Sequence, residues 1–88
     1  MDNKEQLRIL IREDCIEKMG KFLREGDEEE RKNPIWINMK ITFILGELSH
    51  MYKSESFIKN LQPIIEIKAD DMKIIVDEVI GKIIHELY

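Results

Sequence analysis

The sequence has few of the residues that small proteins use to reinforce a fold with covalent or metal cross-links. Cys15 is the only cysteine among 88 residues, so no disulfide can form within one chain. There is no Cys-x-x-Cys pair and no Cys/His cluster of the kind that binds zinc. The first residues are polar and charged, unlike those of a secretory signal. We therefore expect a reduced, cytoplasmic protein without a structural metal.

Long apolar runs, glycine-rich loops and a surplus of positive charge are also missing. No apolar run approaches the roughly 20 residues of a membrane-spanning helix, so no membrane partner is predicted. The four glycines are scattered singly, which excludes a phosphate-binding loop, and there is no Gly-x-Ser-x-Gly motif. The net charge of −4 argues against nucleic-acid binding, because phosphate contacts supply most of that affinity. We predict no cofactor and no enzymatic activity.

What the chain has in abundance is isoleucine, at sixteen residues, and lysine, at ten, beside a single alanine. This bias is typical of an AT-rich coding sequence from a microbe or a phage. The apolar residues of the first segment recur at spacings of three and four, which predicts a helix from about Lys4 to Glu25. Gly26 follows where a helix end favours a left-handed residue. The polar segment 27–32 is predicted to be a solvated loop or a frayed helix end.

The remaining helix boundaries are marked by capping residues. Asn33 and Pro34 predict the start of a second helix that reaches about Lys53. Ser54 predicts a short helix to about Leu61, which ends or kinks near Pro63. The part-alternation of residues 64–68 allows a short strand, but no second strand is evident to pair with it, so we predict a kinked continuation of the helix or an irregular turn. Asp70 or Asp71 caps the last helix. The expected fold is one all-α domain over residues 1–88, a small bundle of three long helices and one short helix, kinked near residue 63.

The second helix is unusual because apolar side chains go nearly all the way round it. Ile35, Met39 and Phe43 lie on one side, and a second set lies across from them: Ile37, Ile41, Ile44, Leu48 and Tyr52. Such a helix is normally buried on every face, but a chain this short has few elements to cover it. Soluble monomers rarely leave large apolar patches, so we predict a homodimer. The alternative is that lysine stems and the acidic loop fold over the excess.

Four residues are predicted as interface candidates. Arg8 and Arg12 fall inside the apolar sector of the first helix, and Lys4 continues the same ridge. Arginine forks bind carboxylates well, so this ridge suits an acidic surface on a larger protein partner. The other interpretation is that both side chains extend to solvent from the edge of the core. Trp36 lies in the first turn of the second helix, where a large aromatic serves equally well as core plug or binding anchor.

The run from Leu48 to Ser54 contains His50 and, one turn later, Lys53. It resembles the phosphoacceptor helix of histidine-containing phosphotransfer domains, whose motif reads His-x-x-Lys-Gly. The resemblance covers about five residues and implies that His50 accepts a phosphoryl group and that Lys53 neutralises it. Ser54 replaces the glycine of the motif. Glu47 and His50 also match half of a di-iron site, but the second half is missing, so no metal is predicted.

The sequence thus favours a non-enzymatic regulatory or adaptor protein that acts through helix-face contacts as a homodimer. The alternative is a histidine phosphotransfer-like domain that uses His50. The partner, the pathway and the conformation of residues 62–69 are left open at this stage.

Overall fold

Five helices make up the fold of the computed structural model, which describes residues 2–87. They are α1 (Asn3–Leu23), α2 (Glu28–Arg31), α3 (Pro34–Tyr52), α4 (Glu55–Leu61) and α5 (Ala69–Leu87). No strand occurs in residues 2–87. The predicted all-α class is confirmed, and the three long helices lie within two or three residues of their predicted bounds.

Side-chain caps start the helices where the sequence indicates. The side chain of Asn33 accepts hydrogen bonds from the backbone N–H groups of Ile35 and Trp36, at 3.0 and 3.4 Å, and Pro34 occupies the first turn of α3. Ser54 Oγ accepts from the N–H of Phe57 at 3.4 Å and starts α4. Each cap satisfies backbone donors that a helix start leaves unpaired.

The start of α5 differs from the prediction. This helix begins at Ala69, so Asp70 and Asp71 lie inside its first turn and neither of them precedes it as a cap. Their carboxylates still face the positive end of the helix dipole, which is where acidic side chains stabilise a helix.

Within segment 27–32, residues Glu28–Arg31 form a separate one-turn helix, which is neither the solvated loop nor the frayed helix end that the sequence predicted. Asp27 accepts a hydrogen bond from the N–H of Glu30, and Glu30 in turn accepts from the N–H of Asp27, at 2.8 and 3.2 Å. This reciprocal capping box satisfies two backbone donors and holds the single turn of α2 without any buried residue. The structure therefore has two short helices where the sequence predicted one.

Pro63 follows the end of a helix and does not kink a continuous one. The helix α4 stops at Leu61, and residues 62–65 form a turn in which the N–H groups of Ile64 and Ile65 both donate to the carbonyl of Leu61 at 2.9 Å. Residues 66–68 are irregular and lead into α5. Of the two predicted conformations, a kinked continuation and an irregular turn, the structure has the irregular turn.

The core lies where α1, α3 and α5 pack against one another, with α4 closing one end. Burying one such apolar side chain contributes roughly 1.5 to 3 kcal/mol, before the cost of ordering the chain. The buried residues form one cluster: Leu7, Ile11, Cys15, Ile41, Leu45, Leu48, Tyr52, Ile58, Leu61, Ile65, Met72, Ile75, Val76, Val79, Ile80 and Ile83.

The two predicted sides of the second helix are separated in the structure. The side that carries Ile41, Leu48 and Tyr52 enters the core, and Ile37 and Ile44 pack against it. The opposite side, with Ile35, Met39 and Phe43, is exposed. A single chain therefore covers only one side of α3. None of the helices in residues 2–87 is both long and apolar enough to cross a membrane.

Candidate functional site

The exposed side of α3 is the most apolar surface that a helix of this chain leaves open. Ile35, Met39 and Phe43 retain 71, 67 and 58% of their accessible area. They are four residues apart, so they form one ridge along the helix. Neither lysine stems nor α2 covers them. The alternative in which the chain folds over its own apolar excess therefore does not hold for these three side chains.

The same surface continues to the end of α3. A Cβ added at Gly46 would meet no atom within 4 Å, so this position is an open notch in the ridge. His50 and Met51 are exposed beyond it, and together with Phe43 they line one shallow depression. We call the set Ile35, Met39, Phe43, Gly46, His50 and Met51 the outer face of α3. At 1.5 Å per residue, it is about 24 Å long.

One flank of the outer face carries two opposite charges. The ammonium group of Lys40 lies over the rings of Phe22 and Trp36, 5.6 and 5.7 Å from their centroids. Glu47 lies two turns further along the helix, is exposed, and takes part in none of the ion pairs found among residues 2–87. A positive and a negative group thus border the apolar ridge on the same side.

Trp36 connects α3 to the turn between α1 and α2. An added Cβ at Gly26 would lie 2.3 Å from the six-membered ring of Trp36, so the indole packs directly against the backbone of the glycine. Gly26 does not have the left-handed conformation that the sequence predicted, because no residue from 2 to 87 has a positive φ angle of that kind. The glycine is needed for the close approach of the ring. Trp36 is half-buried, and its ring packs on this glycine outside the core cluster.

The predicted arginine ridge is held by carboxylates of the same chain. Arg8 donates to Glu78 at 2.8 Å and to Glu5 at 3.2 Å, and Arg12 donates to Glu86 at 3.0 Å. The hydrogen bond with Glu78 is the main reason that the pKa of Arg8 is raised, and the same bond lowers the pKa of Glu78. The acidic surface that this ridge was predicted to meet thus has a counterpart on α5. Surface pairs of this kind stabilise little.

Lys4 does not join the two arginines in an ion pair. It is exposed at the start of α1, where it borders a depression that also includes Lys68 and Asp71. The ridge predicted from Lys4, Arg8 and Arg12 is therefore split into a free lysine and two arginines whose forks already bind carboxylates.

Only one of the three residues of the phosphotransfer motif lies where phosphotransfer would need it. His50 is exposed in the last turn of α3, as a phosphoacceptor would have to be. Lys53 lies just beyond the helix and donates to Asp77 of α5 at 2.8 Å. Ser54 is outside α3 and caps α4. The motif's cation is therefore directed at a carboxylate of the bundle, and its small residue is not part of the phosphoacceptor helix.

Sequence reasoning missed a polar cluster between α1 and α3. The hydroxyl of Tyr52, whose side chain is buried, donates to the carboxylate of Asp14, which Lys18 also contacts at 2.9 Å. The ammonium of Lys18 is 5.8 Å from the centre of the Tyr52 ring, and the thiol of Cys15 adjoins the same hydroxyl. The i,i+4 pair of Asp14 and Lys18 was visible in the sequence, but its connection to Tyr52, 38 residues later, was not.

These contacts shift the pKa values of the three acids. Burial acts to raise the pKa of Asp14, but the hydrogen bonds from Tyr52 and Lys18 and the charge of Lys18 outweigh it, so the pKa is lowered. Burial is the main cause that raises the pKa of the Cys15 thiol. Burial, followed by the hydrogen bond to Asp14, raises the pKa of Tyr52 well above its usual range.

The cluster predicts a pH-dependent effect of Tyr52→Phe. Removing the hydroxyl leaves the half-buried carboxylate of Asp14 without one donor, at a cost of about 1 to 3 kcal/mol near neutral pH. Because the pKa of Asp14 is lowered in the folded protein, its carboxylate stabilises the fold at pH values above its unfolded pKa near 3.8. This stabilisation is lost as the pH falls through the folded pKa. Because the pKa of Tyr52 is raised in the folded protein, its hydroxyl stabilises the fold at pH values below its unfolded pKa near 10.0, and this stabilisation is lost as the pH rises further.

The difference in unfolding free energy between wild type and Tyr52→Phe should therefore be largest in the window between these two pH values and shrink on either side. Urea titrations across the pH range measure this difference. A difference that does not change with pH would show that the hydroxyl contributes only by packing.

No group of three or more His, Cys, Asp or Glu side chains in residues 2–87 is placed to hold a metal ion. Comparison of the chain with known protein families, curated proteins and solved structures finds no match.

Proposed function

We propose that this is a non-enzymatic regulatory or adaptor protein that acts through protein–protein contacts on the outer face of α3, as a homodimer. The observation that supports it best is the exposure of Ile35, Met39 and Phe43 at 58 to 71% on the side of α3 opposite the core. A core-facing helix needs an apolar stripe of only about 100°, and the second stripe of α3 has no function inside the monomer.

A protein surface is the partner that suits this shape. The outer face is a long ridge whose depressions are shallow and open, so they do not enclose a small ligand as a binding pocket would. Each 100 Å² of apolar surface that a partner covers contributes roughly 2.5 kcal/mol before the costs of association. A second copy of the chain presents the same surface, and two-fold dimers are the commonest oligomers.

Phe43→Asp tests the proposal directly. We expect wild type at roughly 100 micromolar to sediment at about twice its 10.5 kDa mass and Phe43→Asp to sediment as a folded monomer. The charge is placed on an exposed position, so the helical circular dichroism signal should not change.

Ile64→Asp is the matched control, because Ile64 is 76% exposed but lies in the turn after α4. This variant should stay dimeric. A monomeric wild type, or equal dissociation in both variants, would contradict a role for the outer face in self-association.

Phosphotransfer through His50 is the second candidate, and the exposure of His50 on α3 is the observation that favours it. Acetyl phosphate followed by mass spectrometry under basic conditions tests it. A phosphoryl adduct that His50→Gln abolishes would rank this function first.

A further inference from the structure

We infer that two copies pair through antiparallel α3 helices, with the two-fold axis passing beside Phe43. The inference rests on the proposed self-association and specifies its geometry. It follows from the order of large and small residues along the outer face and of charged residues on its flank. When the same surface on a second copy is turned to run in the opposite direction, large residues meet small ones and positive charges meet negative ones.

Helical geometry assigns each residue a height and a side. At about 3.6 residues per turn, each residue is rotated by about 100° from the one before it. Measured from Phe43 at 0°, Met39 lies at about −40° and Gly46 at about −60°, so both are on one side of the ridge. Lys40 and Glu47 fall on the other side, at about +60° and +40°. In each pair one residue lies before Phe43 and the other lies after it, by three or four positions.

An antiparallel two-fold axis reverses height and keeps the side. Met39 therefore meets the partner's Gly46, within about 1.5 Å of the same height. The space around Gly46, where an added Cβ would meet no atom within 4 Å, is open to receive that side chain. Large residues packed against small ones allow two helices to approach closely. Phe43 meets the partner's Phe43 at the axis.

Charge decides between the two possible directions. In the antiparallel arrangement, Lys40, whose ammonium lies over the rings of Phe22 and Trp36, is near the height of the partner's Glu47, and the same pair occurs a second time by symmetry. A parallel two-fold axis keeps the height and reverses the side, so Lys40 and Glu47 would lie opposite the partner's Met39 and Gly46 and neither charge would meet an opposite one. Opposite charges that meet across an interface favour the arrangement that pairs them, which here is the antiparallel one.

The contact is smaller than a standard interface, which is typical of weak or transient association. Standard interfaces bury about 800 Å² on each partner, and a single helix face about 24 Å long provides less than that. We therefore expect a dissociation constant in the micromolar range. The paired helices would also cover His50 with the partner's Ile35, so dimer formation and phosphorylation of His50 would exclude each other.

Cysteine cross-linking tests the geometry. Disulfides need Cα atoms within about 7 Å. In the antiparallel dimer, Met39→Cys is about 12 Å along the axis from its own copy, and Gly46→Cys about 9 Å. Neither variant alone should form linked dimers under mild oxidation, and an equimolar mixture of the two should. Intact mass spectrometry distinguishes the linked species by mass.

Wild type is the control, because its only thiol, Cys15, is fully buried. Sedimentation of each reduced variant shows whether it still dimerises. A monomer in every sample, wild type included, would contradict the proposed self-association. A dimer in which Met39→Cys links to itself, or in which the mixture does not link, would overturn the antiparallel arrangement alone.

Discussion

Ile41→Asp is expected to unfold the protein. Ile41 lies on the core side of α3 and keeps 6% of its accessible area. The core cluster to which Ile41 belongs contains no charged side chain among residues 2–87. A carboxylate there would have no partner and would cost several kcal/mol, beside about 5 to 15 kcal/mol for the whole stability of a typical domain. The helical circular dichroism signal at room temperature measures the loss.

Phe43→Asp makes the same chemical change two residues away on the opposite side of the same helix. Because Phe43 is 58% exposed, this variant should keep its helical signal and a melting temperature near that of wild type in its monomeric form. If Ile41→Asp and Phe43→Asp lose equal stability, the division of α3 into a core side and an outer face is wrong.

Gly26→Ala should destabilise the fold by about 1 to 3 kcal/mol, as overpacking does elsewhere. The new methyl group would lie 2.3 and 2.7 Å from two carbons of the Trp36 ring, so the indole would have to move away from residue 26. That movement also removes the contact between Lys40 and the ring. Trp36 is the only tryptophan, so a red shift of its emission reports the displacement, and urea titration reports the loss of stability.

Two further variants separate ring displacement from a general effect of alanine. At Gly81, inside α5, an added Cβ meets no atom within 4 Å, so Gly81→Ala should be neutral or stabilise the protein by up to about 1 kcal/mol. In a Trp36→Ala background, Gly26→Ala should lose most of its cost, which a double-mutant cycle measures. A cost that persists without the indole would assign the effect to the backbone of the turn.

The long helices were predictable because their signals are local. Spacing of apolar residues and the caps Asn33 and Ser54 depend on residues within a few positions, and the same hydrogen bonds appear in the structure. The helix α2 was missed because it has no apolar face. The signal that could have found it was present: Asp27 followed three residues later by Glu30 is a capping-box spacing.

The surfaces were less predictable because they depend on which helices become neighbours. The sequence places Arg8 and Arg12 in an apolar sector, but only the packing of α1 against α5 brings Glu78 and Glu86 to them. Similarly, the sequence predicts that apolar residues lie on two sides of α3, but it does not indicate which side faces the core. The link from Tyr52 to Asp14 crosses between helices and leaves no periodic trace in the sequence.

The packing of the first long helix against the last one has a consequence for biosynthesis. The buried face of α1, formed by Leu7, Ile11 and Cys15, belongs to the cluster that Val76, Val79 and Ile80 of α5 complete. Ribosomes add about 5 to 20 residues per second, so α1 waits roughly 3 to 13 seconds for α5 to be synthesised. During that interval α3 can cover only part of this face, so apolar surface stays exposed on the nascent chain, the condition that makes chaperones necessary. Folding is therefore completed after translation of α5 and not progressively along the chain.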